Sequence, residues 1–267
     1  MAGDPLAVAD LVDILDGPWH TAVSAHPDVR RIRTGFLSRL PRTPLADVTD
    51  FPDPLVPVQA DDHNDPTGRM GRGAPAVRLE PAPGHPLDVA VCHLKSKLLS
   101  FPDGRCSPRN EGERARYAAY ALFRRGAKAV TVRAMADELL AGDGEVRDVA
   151  VLGDLNGEPA AATTQILLGP PGSQIGASGF ERPDQGDQSR LWNLAPHIPE
   201  DQCHSPIHAG RPELTDHILV SHALPARVEH ASTGAEHRLP SVSGDPAARR
   251  DKPASDHAPV LATLRCP

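Results

Sequence analysis

The chain has 267 residues, enough for one large domain with a buried core or for two small domains. Its formal net charge of −7 gives no long-range attraction for polyanions, although bound divalent cations would reverse the sign of a local site. No apolar run approaches the roughly 20 residues that span a bilayer. The four cysteines lack the paired spacing of a disulfide framework or a cysteine zinc site, which favours a reducing compartment. A cytoplasmic location is expected if Met1 is the true N-terminus.

The first half of the chain predicts one helix and four strands. Asp4 followed by Pro5 suits a helix start, and the helix is expected to end before Gly17. The strands are expected at residues 19–24, 31–37, 76–80 and 87–93. Residues 41–73 are rich in Pro, Asp and Gly, and they are expected to form a long surface loop.

The second half predicts two helices and four more strands. Asn110 and Glu113 have the spacing of a capping box, in which each satisfies the other's end of the helix, and a long amphipathic helix should run to about Leu140. A short helix is expected at 160–168, a loop at 169–210, and strands at 149–153, 214–221, 226–232 and 259–264. Strands and helices alternate irregularly without a repeat or linker, which predicts a single α/β domain over residues 1–267.

The sequence Gly-Asp-Leu-Asn at 153–156 directly follows an apolar strand. Asp154 and Asn156 lie two apart, so in extended chain both side chains leave on the same side. A carboxylate and an amide oxygen presented together suit a hard cation such as Mg²⁺, or the polarisation of a water molecule. The alternative is a plain turn, because Asp, Asn and Gly are turn residues.

Asp216 lies on the apolar face of a predicted strand, with the same parity as Leu214 and Ile218. A carboxylate buried there without a partner would cost several kcal/mol. His257 is the candidate partner, because a carboxylate fixes the tautomer of a histidine and favours its charged form. The alternative is a local salt bridge or backbone bond to Asp216.

Two further motifs stand at strand ends. Asp256 and His257 precede the last strand and point to opposite faces, so one could bind a metal while the other meets a phosphate; the alternative is a capping Asp beside a surface His. His93 ends an apolar strand and would emerge just past the core, where a lone His is more often structural than catalytic.

The order and spacing of these motifs resemble the endonuclease/exonuclease/phosphatase superfamily, from about residue 19 to residue 264. That superfamily includes deoxyribonuclease I, abasic-site endonucleases, neutral sphingomyelinases and inositol polyphosphate phosphatases. The motifs are strand-His-Leu, Gly-Asp-Leu-Asn, Asp-His-Ile-Leu-Val-Ser and Ser-Asp-His-Ala-Pro-Val, at 93–94, 153–156, 216–221 and 255–260. Residues 32–39 also resemble a recurring strand that ends in Leu-Ser.

The resemblance implies a four-layer α/β sandwich, with two mixed sheets face to face and helices outside. It implies a metal-dependent hydrolase of phosphodiester or phosphomonoester bonds that uses Mg²⁺ or Mn²⁺. On that pattern Asp154 would be the general base, Asn156 would help to position the water, and Asp216 would orient His257. His257 and His93 would contact the phosphate from two sides. Asp256, with Asp154 and Asn156, would bind the metal.

Other candidate residues carry weaker signals. Lys95 and Ser96 follow His93 and could contact substrate, although an exposed Lys is usually only solvated. Arg190 and Trp192 lie where the superfamily often carries substrate-reading loops. His204 and His208 have a spacing seen in zinc sites, but a plain loop is the favoured interpretation because no further ligand cluster is evident.

One departure from the superfamily concerns the N-terminus. Its members begin with a strand that carries Asn and a strand that ends in Gln-Glu, whose Glu is a principal metal ligand. Here the first Asn is Asn64 and the first Glu is Glu80, so the first strands are expected to be missing, through a start codon assigned too late or a truncated gene. Weakened Mg²⁺ binding, low activity and poor solubility would follow.

The alternative function is therefore a catalytically impaired remnant that keeps the fold as a binding module. A serine hydrolase or a zinc hydrolase has little support, because the nucleophile elbow and the His-Glu-x-x-His helix motif are absent from the sequence. A monomer is expected. The substrate is expected to be a phosphate ester, with nucleic acid, a phospholipid head group and a sugar or inositol phosphate all left open.

Overall fold

The computed structural model describes residues 5–63, 67–172, 174–177, 180, 182, 186–234, 239–242 and 255–266. In this part of the chain the helices are α1 (Pro5–Ile14), α2 (Glu111–Leu140) and α3 (Ala162–Leu168). The strands are β1 (His20–Val23), β2 (Gly35–Ser38), β3 (Arg42–Asp50), β4 (Arg69–Ala82), β5 (His85–His93), β6 (Asp148–Asp154), β7 (Leu191–Asn193), β8 (Ile207–His208), β9 (Arg211–Pro212), β10 (Asp216–Ser221), β11 (Val228–Thr233), β12 (Ser241–Val242) and β13 (Val260–Leu264). The predicted cap Asp4 and the first asparagine, Asn64, lie outside the described residues.

A six-stranded mixed sheet with the order β3-β4-β5-β6-β10-β7 forms the centre of the fold. Its neighbouring strands are antiparallel except β5 and β6, which are parallel. Parallel neighbours need a long crossover connection, and here α2 supplies it. The buried face of α2, with residues such as Ala129, Val132 and Met135, packs in one cluster with Val149 and Val151 of β6.

A second layer covers the other face of this sheet. It consists of two two-stranded antiparallel sheets, β1-β2 and β11-β13. Phe36 of β2 and Leu264 of β13 join a cluster with Val77, Val89 and Val220 of the central sheet. Because both faces of the central strands are covered, the fold is the layered α/β arrangement that the sequence predicts. A small three-stranded sheet, β12-β8-β9, completes the described strands.

The long helix begins and ends close to the predicted residues. The side chain of Asn110 accepts a hydrogen bond from the Glu113 amide at 2.9 Å, as a capping box requires. The reciprocal half of the box is wrong: the Glu113 carboxylate accepts from the Arg109 amide and pairs with Arg105. Ala141 follows the last helical residue with a left-handed φ of 52°.

The prediction of a loop over residues 41–73 is wrong, because β3 and the start of β4 lie within it. The Pro-rich composition hid β3, an edge strand, where proline is tolerated because one side of the strand needs no partner. Strand β4 passes through Gly73, where a Cβ atom would lie 2.3 Å from Ser24 Oγ, so its glycine is a packing requirement rather than a turn signal.

Two other predicted boundaries also differ from the structure. Residues 31–34 are not part of a strand, and the strand predicted at 31–37 begins at Gly35. The loop predicted at 169–210 contains β7, which hydrogen-bonds to β10 at the edge of the central sheet, and β8. None of the described helices is long and apolar enough to cross a membrane.

Candidate active site

Three predicted site residues lie side by side at one edge of the central sheet. His93 ends β5 and is paired in register with Asp154, which ends β6. Asp154 is in turn paired with Asp216, which begins β10. We call His93, Asp154 and Asp216 the strand-end row. His93 Nε2 lies 3.5 Å from Asp154 Oδ2.

The turn after β6 fixes Asp154 and Asn156. The Asn156 amide donates to Asp154 Oδ1 at 2.9 Å, and its side-chain amide donates to the Leu94 carbonyl at 3.2 Å. Gly153 has a φ of +134°, and a Cβ atom there would lie 2.0 Å from the Cys92 carbonyl oxygen. The turn interpretation of the motif is therefore confirmed, and the turn holds both polar side chains in place; their role toward a cation or a water molecule stays a prediction.

His257 pairs with Asp216, as predicted. The two residues are joined by a hydrogen bond of 2.6 Å between His257 Nδ1 and Asp216 Oδ2. Burial alone would lower the pKa of His257, but this bond and the charges of Asp216, Asp154 and Asp256 raise it to about 9. The imidazole is therefore a cation at neutral pH, with Nε2 free of a protein partner among the described residues.

Asp216 is itself held by several groups. Its backbone amide donates to Ser205 Oγ at 3.1 Å, and the same hydroxyl accepts from the Thr215 amide at 3.1 Å. Burial would raise the pKa of Asp216, but the hydrogen bond and the charge of His257 keep it below its usual value. Asp216 is thus a carboxylate at neutral pH and holds the proton of His257 on Nδ1.

Asp154 has the opposite shift. Burial and the neighbouring charge of Asp216 raise its pKa to about 7. Ligand atoms of Asp154, Asp216 and His257 all lie within 4.8 Å of one another, close enough to surround one metal ion. A cation would relieve the repulsion between the two carboxylates, and their oxygens are the ligands that Mg²⁺ prefers. The two carboxylates therefore fit a divalent ion, whereas His257, as an imidazolium, has no free nitrogen lone pair to offer it.

The predicted metal ligands coincide with this cluster at Asp154. Asp256 is not among these clustered acidic and imidazole groups, and both Asn156 and Asp256 line the two cavities beside it. Asp216, predicted only to orient His257, belongs to the cluster.

His93 is neutral at physiological pH. Burial lowers its pKa to about 3, and the charges of Arg72 and Lys128 contribute to the shift. Lys128 is only 5% exposed on the inner side of α2, and its own pKa is lowered to about 7 by burial and by Arg124, Arg72 and Lys95. The contact between His93 and Asp154 is therefore a polar contact of a neutral ring, not an ion pair.

His217, which was not among the predicted site residues, is buried beside the site. Its Nε2 donates to the Gly157 carbonyl at 2.8 Å, and its Nδ1 accepts from the Asn193 side-chain amide at 3.2 Å. These partners require a neutral ring, and burial lowers its pKa accordingly. His217 thereby ties the turn after Asp154 to β10. Its place next to Asp216, on the opposite face of the strand, was the available signal.

Two cavities meet at the site. The first has a volume of about 690 Å³ and is lined by the strand-end row together with residues of α1 and β2. The second, of about 450 Å³, lies on the other side of Asn156, Asp256 and His257, which border both. Ser96 also lines both cavities.

The weaker candidates lie elsewhere. Lys95 donates to the Leu98 carbonyl at 2.6 Å, so it stabilises the loop that follows β5. Arg190 and Trp192 are buried and border neither cavity. His208 lines the second cavity, whereas His204 borders neither, and the described residues give no metal cluster that contains them.

Comparisons with known proteins gave matches among solved structures alone. Scans against protein-family models and against curated proteins found no match. A mannosyl-6-phosphatase from Bacteroides thetaiotaomicron VPI-5482 is 11% identical, with a TM-score of 0.51 over 97% of this chain and 80% of its own. An endonuclease/exonuclease/phosphatase family protein from Bacteroides thetaiotaomicron is 12% identical, with a TM-score of 0.50 over 95% and 78%.

A 3′-5′ exonuclease from Neisseria meningitidis is 18% identical over 97% of this chain and 83% of its own, with a TM-score of 0.49. The two Bacteroides structures, at TM-scores of 0.50 and above, show the fold. The motif order in the sequence and the strand-end row agree with that likeness. The chain has the fold of the endonuclease/exonuclease/phosphatase superfamily.

Proposed function

We propose that the protein is a metal-dependent phosphoesterase that hydrolyses phosphodiester or phosphomonoester bonds. One observation carries the proposal: His257 and Asp154 lie together at the wall of an open cavity, with ligand atoms within 4.8 Å of each other. His257 is an imidazolium, and Asp154 is a carboxylate with a pKa near 7. Hydrolysis of a phosphate ester needs these two groups together, a cation for the phosphate and a base for the water.

Each of these side chains has a separate role in the proposed reaction. His257 donates its Nε2–H to a phosphate oxygen. Asp216 accepts a hydrogen bond from Nδ1–H of the same ring and so keeps the ring charged. Asp154, oriented by the Asn156 amide, accepts a proton from the attacking water. Its pKa of about 7 makes it ionised in much of the population at neutral pH and still basic enough to accept the proton.

The carboxylates of Asp154 and Asp216 offer ligand atoms for a divalent ion, with Asn156 and Asp256 nearby as further oxygen donors. When bound, Mg²⁺ or Mn²⁺ would stabilise negative charge on the phosphate oxygens and the leaving group. His93, neutral and at the end of the row, donates or accepts one hydrogen bond on the other side of the phosphate without adding charge.

A generic aryl phosphodiester with MgCl₂ tests the proposal. We expect release of the aryl alcohol that EDTA abolishes, and a loss of about 10²- to 10³-fold in kcat/KM for His257→Ala, because a transition-state cation is removed. His230→Ala is the matched control, since His230 is an exposed residue of β11 away from both cavities.

A rate that EDTA leaves unchanged would contradict the metal mechanism. Metal-dependent binding of inorganic phosphate without turnover would instead favour the alternative, a binding module with an impaired site.

A further inference from the structure

The residues that line the second cavity indicate a class of substrate. We propose that it holds an uncharged aromatic or apolar group of the phosphate ester, directly beside the phosphate. This inference rests on the proposed phosphoesterase function and narrows its substrates. It favours esters of aryl-like or base-like groups over esters of polyhydroxylated or multiply phosphorylated alcohols.

The position of the cavity ties it to the reaction. Asn156, Asp256 and His257 border both this cavity and the one that contains the strand-end row. A phosphate that accepts a hydrogen bond from His257 therefore lies at the boundary between the two. A substituent on that phosphate can enter the second cavity without leaving the site.

Apolar side chains contribute a substantial part of the cavity wall. Leu98, Leu99 and Phe101, from the segment after β5, form one side, and Pro206 and Val242 stand among the other lining residues. Phe101 is buried, with its ring centroid 5.1 Å from that of Tyr117 on α2. The aromatic side of the cavity is therefore supported by the protein core and is preformed.

The charged groups of the described wall do not suit a second anion. Lys97 is paired with Glu213 at 2.5 Å, and Arg114 is paired with Glu111 on its own helix at 2.5 Å. The carboxylates of Glu213 and Asp256 line the same space. A further phosphate would meet the carboxylate of Asp256, and Lys97 and Arg114 already have carboxylate partners.

The volume also fits one ring system. About 450 Å³ lies within the range of roughly 300–1,000 Å³ that is typical of small-molecule sites. Transfer of an aromatic ring from water into such a space is favourable because it removes apolar surface from water.

The experiment compares two non-hydrolysable ligands, phenylphosphonate and methylphosphonate, by calorimetric titration of the full chain with MgCl₂. We expect phenylphosphonate to bind at least about tenfold more tightly, because only its ring can occupy the apolar cavity. Leu98→Ser should remove most of this preference and leave methylphosphonate affinity unchanged, whereas Leu98→Met should retain it.

Leu55→Ser is the matched control, since Leu98 and Leu55 are 36% and 38% exposed and Leu55 borders neither cavity. Equal affinities for the two phosphonates, or a preference that Leu98→Ser and Leu55→Ser alter alike, would overturn the inference. The hydrolysis assay reports separately on the phosphoesterase proposal, because ligand preference is measured without turnover. A ring preference with no EDTA-sensitive hydrolysis would thus count against the catalytic proposal alone.

Discussion

His93 and His257 face the same cavity, yet they carry opposite charge states. Their side chains are 19% and 32% exposed, so burial alone does not separate them. Burial, together with the charges of the nearby cations Arg72 and Lys128, lowers the pKa of His93 to about 3. His257 is hydrogen-bonded to Asp216, and its pKa rises to about 9.

This difference shows that the neighbours of each imidazole set its chemistry. A neutral ring can accept or donate one hydrogen bond, whereas a cation can stabilise the charge that develops on a phosphate. The charges of Asp216, Asp154 and Asp256 raise the pKa of His257, whereas the charges of Arg72 and Lys128 add to the effect of burial on His93. One site thus has a neutral and a charged imidazole at the same pH.

Removing the carboxylate that sustains the charge of His257 should have the largest effect. In Asp216→Asn, the hydrogen bond and the charge that oppose burial most strongly are lost and only the weaker effects of Asp154 and Asp256 remain, so the pKa of His257 should fall from about 9 towards its usual value. We expect kcat/KM for the aryl phosphodiester to fall by about 10²- to 10³-fold. Kinetics and an NMR titration of the His257 ring would measure the two effects together.

Asp201→Asn, at an exposed carboxylate, is the control for that substitution. A variant that loses activity while His257 keeps its high pKa would argue that Asp216 acts as a metal ligand only.

Replacing Lys128, the buried cation near His93, should change how the free energy of unfolding depends on pH. Below pH 7 Lys128 is protonated in both the folded and the unfolded state, and the folded protein bears the full cost of the buried charge. Between pH 7 and 10.5 the unfolded state binds the extra proton, so stability rises with pH. Lys128→Met should therefore stabilise the protein, and by about 2–3 kcal/mol more at pH 6 than at pH 9.

Urea unfolding at the two pH values would measure this difference, with Lys97→Met, at a more exposed lysine, as the control. A stability gain for Lys128→Met that is the same at both pH values would show that Lys128 is not a buried titrating group. The same variant should raise the pKa of His93, since one of the cations that lower it is gone.

Replacing the neutral histidine should have the smallest effect. His93→Gln keeps a neutral hydrogen-bonding group at the end of β5, so we expect kcat/KM to fall by only about tenfold. The pH–rate profile between pH 5 and 8 should keep its shape, because His93 does not titrate in that range. Loss of one limb of the profile in this variant would mean that His93 carries a catalytic proton.

The pairing of Asp216 with His257 could be predicted from sequence because it follows from a local rule. A carboxylate on the apolar face of a strand needs a partner, and an imidazole at the next motif is a suitable one. His93 and Asp154 could be placed at the ends of apolar strands from the sequence, and the resemblance to the superfamily implied that both meet Asp216 at one site. The alternation of side chains along a strand and the ends of an apolar strand can both be read directly from the sequence.

The features that the sequence did not predict depend on contacts between distant segments. The low pKa of His93 depends on Arg72 in β4 and Lys128 in α2, and neither lies in a motif. His217 acts through the Gly157 carbonyl, a backbone group with no sequence signal. Strand β3 was hidden because its proline is acceptable only at a sheet edge, and edge position is a property of the assembled sheet.

The strand-end row has one consequence for how the protein would respond to heat. The ladder between neighbouring strands holds His93, Asp154 and Asp216 at fixed spacing, because each residue lies in register with the next. Within the described residues, the alignment of these three groups therefore depends on the sheet itself. Thermal inactivation should accompany cooperative melting of the central sheet rather than precede it, with the row still aligned in every molecule that remains folded.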